Sequence, residues 1–493
     1  MLFAGAGGAD LLAREQKVSS KAGAKHWKVG AWTGDDFTVG HKLRAGQLPK
    51  FSEKPEKTHE VVIIGGGIAG IASAFYLRND DFVLLEQYAE AGGHERGGTF
   101  HGIDYSYGAA FVGSVEGQFG EFYGDLGIKP YKVDKGENAW FWEKKWHRDA
   151  MQGSNGGLYS EFRRLIKSLP AIPDDDTASV IAGSPELSKL DTTPFSSMLS
   201  GYSAEFISLL DSVCRSGACG GTQRVSALVG AGLVRESVGS CYVFEGGNSA
   251  IASAALRSLR ETGANRIETG CFVWSAELSE SGAKVQYTDS AGNPHTIACK
   301  HLIVATPPMV AWRQLKNIDD KTRAAMMQYK YGSYLVANCL LDKPVFQEAY
   351  DNWLPSPYTI SDVVVADTPY KLAGKYKPGM GSVLTAYHPW EPGSEGRTLL
   401  LEGDRTKLSS QVHEQMQTFI STLDEHLVEM VLTRWGHALA VPTPGYYARI
   451  AKLLSSYQGS YSLAHSTFHG MPCTESAIRG ARYAADRVLR MSK

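Results

Sequence analysis

The sequence predicts an α/β fold, in which a doubly wound, Rossmann-like domain is interrupted by an inserted α+β domain. Three observations support this prediction. An apolar strand near residue 60 runs into a glycine-rich turn and a helix, and short strands alternate with helices along much of the remaining chain. The third is size: 493 residues with 43% hydrophobic content exceed what one core usually supports, so we expect two lobes.

The first element is a strand, turn and helix that begin at residue 60. The apolar run 60–64 ends in the G-x-G-x-x-G spacing of Gly65, Gly67 and Gly70. The helix that follows would point its free N–H groups at the turn, where they favour an anion such as a pyrophosphate. The next strand ends in Glu86, about 20 residues further on, where a carboxylate can accept ribose hydroxyls. Together these features predict a dinucleotide site.

A second glycine group follows the fingerprint and indicates which dinucleotide is bound. Gly92 and Gly93 precede His94 and Arg96. This arrangement resembles the flavin-containing amine oxidase superfamily, in which a GG-basic segment follows the ribose-binding acid. It is most similar to the spermidine-dehydrogenase-like branch. The resemblance implies noncovalently bound FAD, with Gly93, His94 and Arg96 in the cofactor site.

Later segments extend the resemblance towards the C-terminus. It implies that Gly108, Ala110 and Phe111 carry the backbone past the isoalloxazine, and that Val273 touches the adenine. In the same family, the helix that begins near Thr474 caps the flavin pyrimidine with backbone N–H groups.

The segment near the ribityl chain departs from the family pattern. His465 stands there, in a stretch without the usual carboxylate. Cys473 occupies the place of one wall of the aromatic cage of monoamine oxidases, which puts a simple aromatic sandwich for the substrate in doubt.

Catalytic residues are predicted from motif position. His469 and Tyr446 are expected close to the reacting centre, where His469 would hold the amine neutral or relay its proton. Arg313 lies five residues beyond Pro308, near the place where amine oxidases keep a flavin-facing lysine. A histidine bonded to backbone and a surface arginine are the alternative interpretations.

The resemblance implies an FAD-dependent oxidoreductase that removes a hydride from the carbon beside an amine, as an amine or polyamine oxidase or dehydrogenase. Two other classes stay open: a desaturase or oxidative tailoring enzyme for a larger nonbasic metabolite, and a redox-neutral flavin isomerase. A pocket with carboxylates would favour a polyamine, and a pocket of Trp and Tyr without acids would favour the nonbasic metabolite. The electron acceptor is oxygen or a redox partner.

The composition limits the classes of partner that the protein is expected to bind. With 50 basic and 52 acidic residues, the chain lacks the basic excess typical of nucleic-acid binding, so a small-molecule substrate is expected. No apolar stretch approaches the roughly 20 residues needed to span a bilayer. The 7 cysteines are scattered and predict neither a disulfide framework nor a metal site. The oligomeric state is left open.

The domain organisation is predicted from these motifs. Residues 1–58 form an arm, and the FAD-binding and substrate domains each consist of separate segments: 59–125, 225–310 and 445–493 for the first, 126–224 and 311–444 for the second. Within the substrate domain, we expect a strand over 138–148 and a helix over 424–435. The N-terminus lacks the charge pattern of a signal peptide, which favours a cytoplasmic protein, with twin-arginine export to the periplasm as the alternative if the start is truncated.

Overall fold

The computed structural model describes residues 27–149, 151, 157–172, 177–262, 267–456 and 459–491. The strands are β1 Lys28–Val29, β2 Thr33–Gly34, β3 Lys57–Ile64, β4 Phe82–Glu86, β5 Gly97–Phe100, β6 Ile103–Ser106, β7 Tyr131–Val133, β8 Asn138–Trp142, β9 Lys145–Arg148, β10 Cys241–Val243, β11 Ile267–Thr269, β12 Phe272–Ser279, β13 Gly282–Thr288, β14 Pro294–Val304, β15 Leu315–Lys316, β16 Ser333–Leu341, β17 Asp351–Trp353, β18 Asp362–Val365, β19 Ser382–Trp390, β20 Leu427–Trp435 and β21 Tyr461–Leu463.

The helices are α1 Thr38–Arg44, α2 Ile68–Tyr76, α3 Gly117–Asp125, α4 Gly157–Ser168, α5 Ala178–Gly183, α6 Pro185–Thr192, α7 Ala204–Ala218, α8 Ala227–Ser237, α9 Ser249–Glu261, α10 Pro308–Gln314, α11 Asp320–Met327, α12 Thr368–Leu372, α13 Gly396–Glu402, α14 Arg405–Gln417, α15 Leu423–His426, α16 Tyr446–Ser456 and α17 Thr474–Met491. Short 3-10 turns lie at Gly93–Glu95, Phe195–Met198 and Ser466–Phe468.

One sheet carries the dinucleotide fingerprint. Its strand order is β11-β4-β3-β14-β13-β12-β15, and β21 also pairs with β14. The pairs among β11, β4, β3, β14 and β21 are parallel, while β12, β13 and β14 form antiparallel hairpins. Helices α2, α9 and α17 pack on one face. Because both faces of a parallel sheet are covered, β3 ends in a continuous apolar run. These features confirm the predicted α/β class.

A second, mostly antiparallel sheet has the order β1-β20-β16-β19-β18-β17-β8-β9, and β2 also pairs with β20. One face packs against α14, through residues such as Leu335 and Ala386. The opposite face, which includes Tyr334 and Tyr387, joins the large core that also contains α4 and α7. Strands from 126–224 and from 311–444 meet in this sheet, although the exact domain boundaries stay a prediction.

Two predictions for the second sheet are wrong. Residues 427–435 form strand β20 and not a helix, because apolar residues fill both faces of this inner strand and imitate helical spacing. Residues 138–148 form a hairpin of β8 and β9, with Glu143 and Lys144 at positive φ in the turn, and not one strand. In the part of the chain that the structure describes, no helix is long and apolar enough to cross a membrane.

The described part of the N-terminal arm connects the two sheets. Its strands β1 and β2 extend the second sheet in parallel with β20. Helix α1 then packs Leu43 against Phe272 and Trp274 of β12, in the first sheet. The arm therefore reaches from the edge of the second sheet to β12 of the first sheet.

Candidate active site

Close contacts with neighbouring parts of the chain require glycine at the fingerprint positions. Gly65 has φ +98°, and a Cβ there would lie 3.1 Å from the Thr306 side chain. A Cβ on Gly70 would overlap the Gly65 carbonyl, and one on Gly93 would lie 2.9 Å from Gly67 Cα. The two glycine groups are separated along the sequence, but they lie side by side and form one backbone cradle at the start of α2. A bulky ligand group can approach bare backbone there.

Glu86 ends β4 as predicted, and its carboxylate is buried beside the cradle. The Gly66 N–H donates to Oε2 at 2.6 Å, and the Tyr88 N–H donates to Oε1 at 2.8 Å. Burial raises the pKa of Glu86, which these N–H groups oppose. A carboxylate has about four lone-pair sites, so it can still accept ribose hydroxyls.

His94 and Arg96 act differently from each other. Burial lowers the pKa of His94 to about 4, so its ring is neutral, and it lies 4.3 Å from the Trp435 ring. Arg96 donates from Nη2 to the Gly34 carbonyl at 3.0 Å and from Nε to Gly93 O at 3.2 Å. Arg96 thus ties the arm to the second glycine group.

The start of α17 carries two buried acceptors with no partner. Thr474 Oγ1 donates to Glu95 Oε1 at 2.6 Å and accepts from Asn248 Nδ2 at 3.0 Å. Asn248 Nδ2 also donates to the Phe111 carbonyl at 3.0 Å. Glu95 Oε2 and Asn248 Oδ1 are buried and make no hydrogen bond. Such atoms are costly unless a ligand supplies donors.

Val273 lies in β12, but its carbonyl already has a partner that the sequence analysis missed. Gln314 Nε2 donates to Val273 O at 2.8 Å, and Thr306 Oγ1 donates to Gln314 Oε1 at 3.0 Å. Gln314 is buried at the end of α10 and so connects β12 to Thr306, which lies beside Gly65 of the glycine turn. A lone glutamine after an apolar helix gave no signal of this role.

The predicted histidines are buried and neutral. Burial lowers the pKa of His465 to about 3 and that of His469 to about 4. His465 Nδ1 accepts from the Thr467 N–H at 3.2 Å, and His469 Nε2 donates to the Leu463 carbonyl at 2.6 Å. Both side chains shape the loop before α17.

Tyr446 and Arg313 also bond to backbone. Tyr446 is fully buried and donates to the Gly470 carbonyl at 3.0 Å. Arg313 donates to the Met309 carbonyl of its own helix, and its guanidinium lies 4.0 Å from the Trp312 ring. These contacts agree with the alternative interpretations, and the catalytic roles of Arg313, Tyr446 and His469 stay predictions.

A group of carboxylates and tyrosines lies beside the segment 108–111, and we call it the carboxylate pocket. Its members are Glu236, Tyr350, Asp351, Asp362 and Tyr387. Tyr387 Oη donates to the Gly108 carbonyl at 2.7 Å, and Tyr350 Oη donates to Ala110 O at 3.2 Å. The pocket therefore borders the backbone that, by resemblance, passes the flavin ring.

Sheet register brings the two aspartates together. Trp353 pairs with Asp362, so Asp351 lies diagonally across from Asp362 on the same face. They are only 4% and 3% exposed. Burial raises the pKa of Asp362 to about 7, and burial together with Asp362 raises that of Asp351 well above its usual range. Asp351 Oδ1 makes no hydrogen bond.

Glu236 completes the pocket from the C-terminal end of α8. A Cβ on Gly113 would lie 3.3 Å from Glu236 Oε1 and 3.6 Å from Glu475 Oε1, so the two carboxylates flank this glycine. Glu475 is held by the N–H groups of Gly113 and Ser114, at 2.6 and 3.2 Å. Within the described ranges, no group of three or more His, Cys, Asp or Glu side chains is placed to hold a metal ion.

None of these carboxylates is predicted from the sequence. They come from α8, β17 and β18, and their juxtaposition is a product of tertiary structure. Each of the two short strands begins with an aspartate, and this is a weak local signal.

The fold and the cradle define an FAD-dependent oxidoreductase. Residues 68–489 match the family described as flavin containing amine oxidoreductase, and the chain belongs to that family. Similar solved structures include a putrescine oxidase variant (TM-score 0.71, 17% identity, 88% of this chain and 99% of that chain) and the cyclohexylamine oxidase of Brevibacterium oxydans IH-35A (0.69, 16%, 88% and 100%).

Two further similarities are more distant. A putative protoporphyrinogen oxidase from Exiguobacterium sp. 255-15 matches with a TM-score of 0.61 and 15% identity, over 90% of this chain and 100% of that chain. Oxidoreductase PigB of Serratia sp. (strain ATCC 39006) is 25% identical over 139 residues, 28% of this chain. The match spans only 21% of the length of PigB.

The residues present fit FAD, the cofactor of the family. The cradle of Gly67 and Gly93 admits a pyrophosphate, and Glu86 has lone pairs for ribose. The unpartnered Glu95 Oε2 and Asn248 Oδ1 lie at the start of α17, beside Phe111, where hydroxyl or N–H donors of the cofactor would satisfy them. FAD would therefore be held mainly by backbone and buried acceptors.

Proposed function

We propose that the protein oxidises an amine or polyamine at the carbon beside the nitrogen. The observation that carries the proposal is the carboxylate pocket, which borders the segment 108–111. Buried carboxylates are costly unless a cation pairs with them. Asp351 Oδ1 has no partner, and desolvation dominates the raised pKa values of Asp351 and Asp362. A protonated amine supplies both the charge and the N–H donor that Asp351 Oδ1 lacks.

One cationic side chain of the protein reaches the pocket, but it affects only one of the two aspartates. Arg215 of α7 lies near enough to Asp362 to lower its pKa, and Ser361 Oγ donates to Asp362 Oδ1 at 2.5 Å. No cation is among the groups that affect the pKa of Asp351. Asp351 is therefore the better site for a substrate ammonium group. Asp362 lies beside it and influences its ionisation.

The tyrosines complete a site that suits an amine. Tyr334 and Tyr387 are buried with ring centroids 5.7 Å apart, and Tyr350 lies at the Phe111 ring. Aromatic faces attract cations and exclude water. Bound FAD supplies the chemistry of hydride acceptance from the substrate carbon. The residues of the chain bind and orient the amine and keep water out.

We also propose that His469 and Tyr446 lie close to the reacting centre. Their hydrogen bonds to Leu463 O and Gly470 O support a role in holding the loop before Thr474 against the flavin. The Arg313 side chain is directed to its own helix, which supports a more distant role. The His94 and Arg96 pair supports the spermidine-dehydrogenase-like branch, and a cytoplasmic location is retained as part of the proposal.

Anaerobic mixing of the purified, FAD-loaded protein with putrescine, spermidine and an aromatic amine tests the function. We expect at least one amine to bleach the flavin absorbance, with diamines and polyamines preferred because several carboxylates are available. Admission of oxygen then tests whether oxygen is the electron acceptor or whether a redox partner is needed. If no amine bleaches the flavin, the amine proposal fails, and the desaturase and isomerase alternatives are tested with nonbasic metabolites.

A further inference from the structure

We infer that Glu236 is the carboxylate that takes the proton from the substrate ammonium group and so prepares the amine for oxidation. The inference rests on the proposed function, because it assumes an amine in the carboxylate pocket. It assigns to a residue of α8 the role of proton acceptor that the sequence analysis gave to His469.

Position is the first argument. Glu236 and Glu475 flank Gly113, which follows Phe111 by two residues, and Glu475 directly follows Thr474 at the start of α17. The glycine leaves room for the carboxylate, since a Cβ at position 113 would come within 3.3 Å of Oε1. Glu236 therefore lies next to the helix end that, by resemblance, caps the flavin, and its charge also raises the pKa of Asp351, whose Oδ1 makes no hydrogen bond.

The charged neighbour that opposes the ionisation of Glu236 is Glu475 of α17. Glu475 of α17, Asp351 of β17 and Cys241 of β10 are the titratable neighbours from the packed elements. On its own helix, Arg235 points away and donates to the Leu169 and Pro170 carbonyls. The negative end of the α8 dipole adds to the effect. Burial, and then Glu475, raise the pKa of Glu236 to about 7.

Glu236 is better suited to the role than its neighbours. The side chain is half-buried, and no described residue donates a hydrogen bond to its carboxylate, so its oxygens can meet a ligand. Asp362 already accepts from Ser361, and Asp351, whose pKa is raised well above its usual range by burial and by Asp362, is assigned to binding the ammonium group rather than to taking its proton. His469 donates to Leu463 O, and its low pKa makes it a weak acceptor.

The step is a simple proton transfer. One N–H bond of the ammonium group breaks, an O–H bond forms on Glu236, and the electron pair stays on the nitrogen. Nothing is oxidised or reduced in this step. A general base is most effective when its pKa lies near the working pH, which is the case here.

The test is the pH dependence of flavin reduction in the FAD-loaded Glu236→Gln variant, measured anaerobically at saturating putrescine or spermidine. In the unaltered protein, we expect the rate to rise with pH through a group near neutrality. In the variant, that rise should move towards the pKa of the amine itself, roughly 10, and the rate at pH 7 should fall about 10²- to 10⁴-fold. Near pH 10 the two rates should converge.

Glu475→Gln serves as a comparison, because it keeps Glu236 and removes only its neighbour. In this variant, the rate of flavin reduction should begin to rise at a lower pH, because Glu475 no longer raises the pKa of Glu236. The plateau rate should be similar to that of the unaltered protein. A Glu236→Gln protein that binds FAD and retains the pH profile of the unaltered protein would overturn the inference. A uniform loss of rate at every pH would do so too, since it would indicate a positioning role. If the unaltered protein is not bleached by any amine, the proposed function fails instead.

Discussion

Tyr88 and Asp35 join the N-terminal arm to the cofactor fingerprint. Tyr88 Oη donates to Asp35 Oδ1 at 3.2 Å and accepts from the Asp36 N–H at 3.3 Å. The other oxygen of Asp35 accepts from the Gly436 N–H at 2.8 Å, just after β20. One half-buried carboxylate thus connects the second sheet, the arm and Tyr88, which lies two residues beyond Glu86. Between the arm and β12 lies a cavity of about 580 Å³, lined by Tyr88, Phe272 and Trp274 among others.

We expect Tyr88→Phe to accelerate FAD dissociation about 10-fold. Loss of a hydrogen bond to a buried carboxylate costs roughly 1.5–3 kcal/mol, and 1.4 kcal/mol corresponds to a factor of ten. The fluorescence of released flavin measures the rate after dilution. Tyr159→Phe is the matched control, because the Tyr159 hydroxyl makes one exposed contact, to Arg148 O at 3.4 Å. Equal release rates for both variants would show that the arm does not retain the cofactor.

Gly93→Ala should abolish the yellow colour of the purified protein. The residue has φ +58°, and its Cβ would lie 2.9 Å from Gly67 Cα, so both the backbone conformation and the space are unfavourable. The absorbance at the flavin bands gives the FAD content. Gly124→Ala in α3 is the control, because a Cβ there meets nothing within 4 Å and alanine favours helix. A fully yellow Gly93→Ala protein would contradict the cradle.

Local patterns made the cofactor half of the fold predictable. The strand from residue 60, the turn, α2 and β4 are contiguous in sequence, and each has its own signal. The closing helix was expected to start near Thr474, and α17 starts there. These elements depend on short-range periodicity and on glycine geometry, which a single sequence displays.

The substrate half was less predictable because tertiary contacts decide its structure. The apolar residues of β20 occur at helical spacing, yet the segment is an inner strand that β16 pairs on one side. The aspartates of the carboxylate pocket come into register only when β17 and β18 pair. Glu236 comes close to them from α8, in a separate segment of the chain. No local sequence motif indicates that these residues come together in the fold.

We expect Glu95→Gln to weaken the pH dependence of stability in the FAD-free protein. Burial raises the pKa of Glu95 to about 8, from an unfolded value near 4.5. Between these values the folded state holds a proton that the unfolded state has lost, so this group destabilises the fold as pH rises, by roughly 1.4 kcal/mol for each pKa unit. Glutamine stays neutral and can still accept from Thr474.

Urea unfolding of both FAD-free proteins at pH 5 and pH 8 measures this difference. The unaltered protein should lose more stability between the two pH values than the variant does. The exposed Glu53→Gln variant should behave like the unaltered protein. Parallel pH curves for Glu95→Gln and the unaltered protein would show that Glu95 is already ionised in the fold.

Asp351→Asn separates substrate binding from folding. In the free protein, the change removes a buried carboxyl group whose ionisation burial, Asp362 and Glu236 oppose, so we expect equal or greater stability. In the complex it removes the negative charge that pairs with the ammonium group, and loss of one partner of a buried charge pair costs roughly 2–5 kcal/mol. The Kd of putrescine or spermidine, from the substrate dependence of flavin reduction, should therefore rise at least about 30-fold, while FAD stays bound. Glu425→Gln, which removes an exposed charge far from the pocket, should change neither quantity. An unchanged Kd in Asp351→Asn would place the amine elsewhere, whatever the effect on stability.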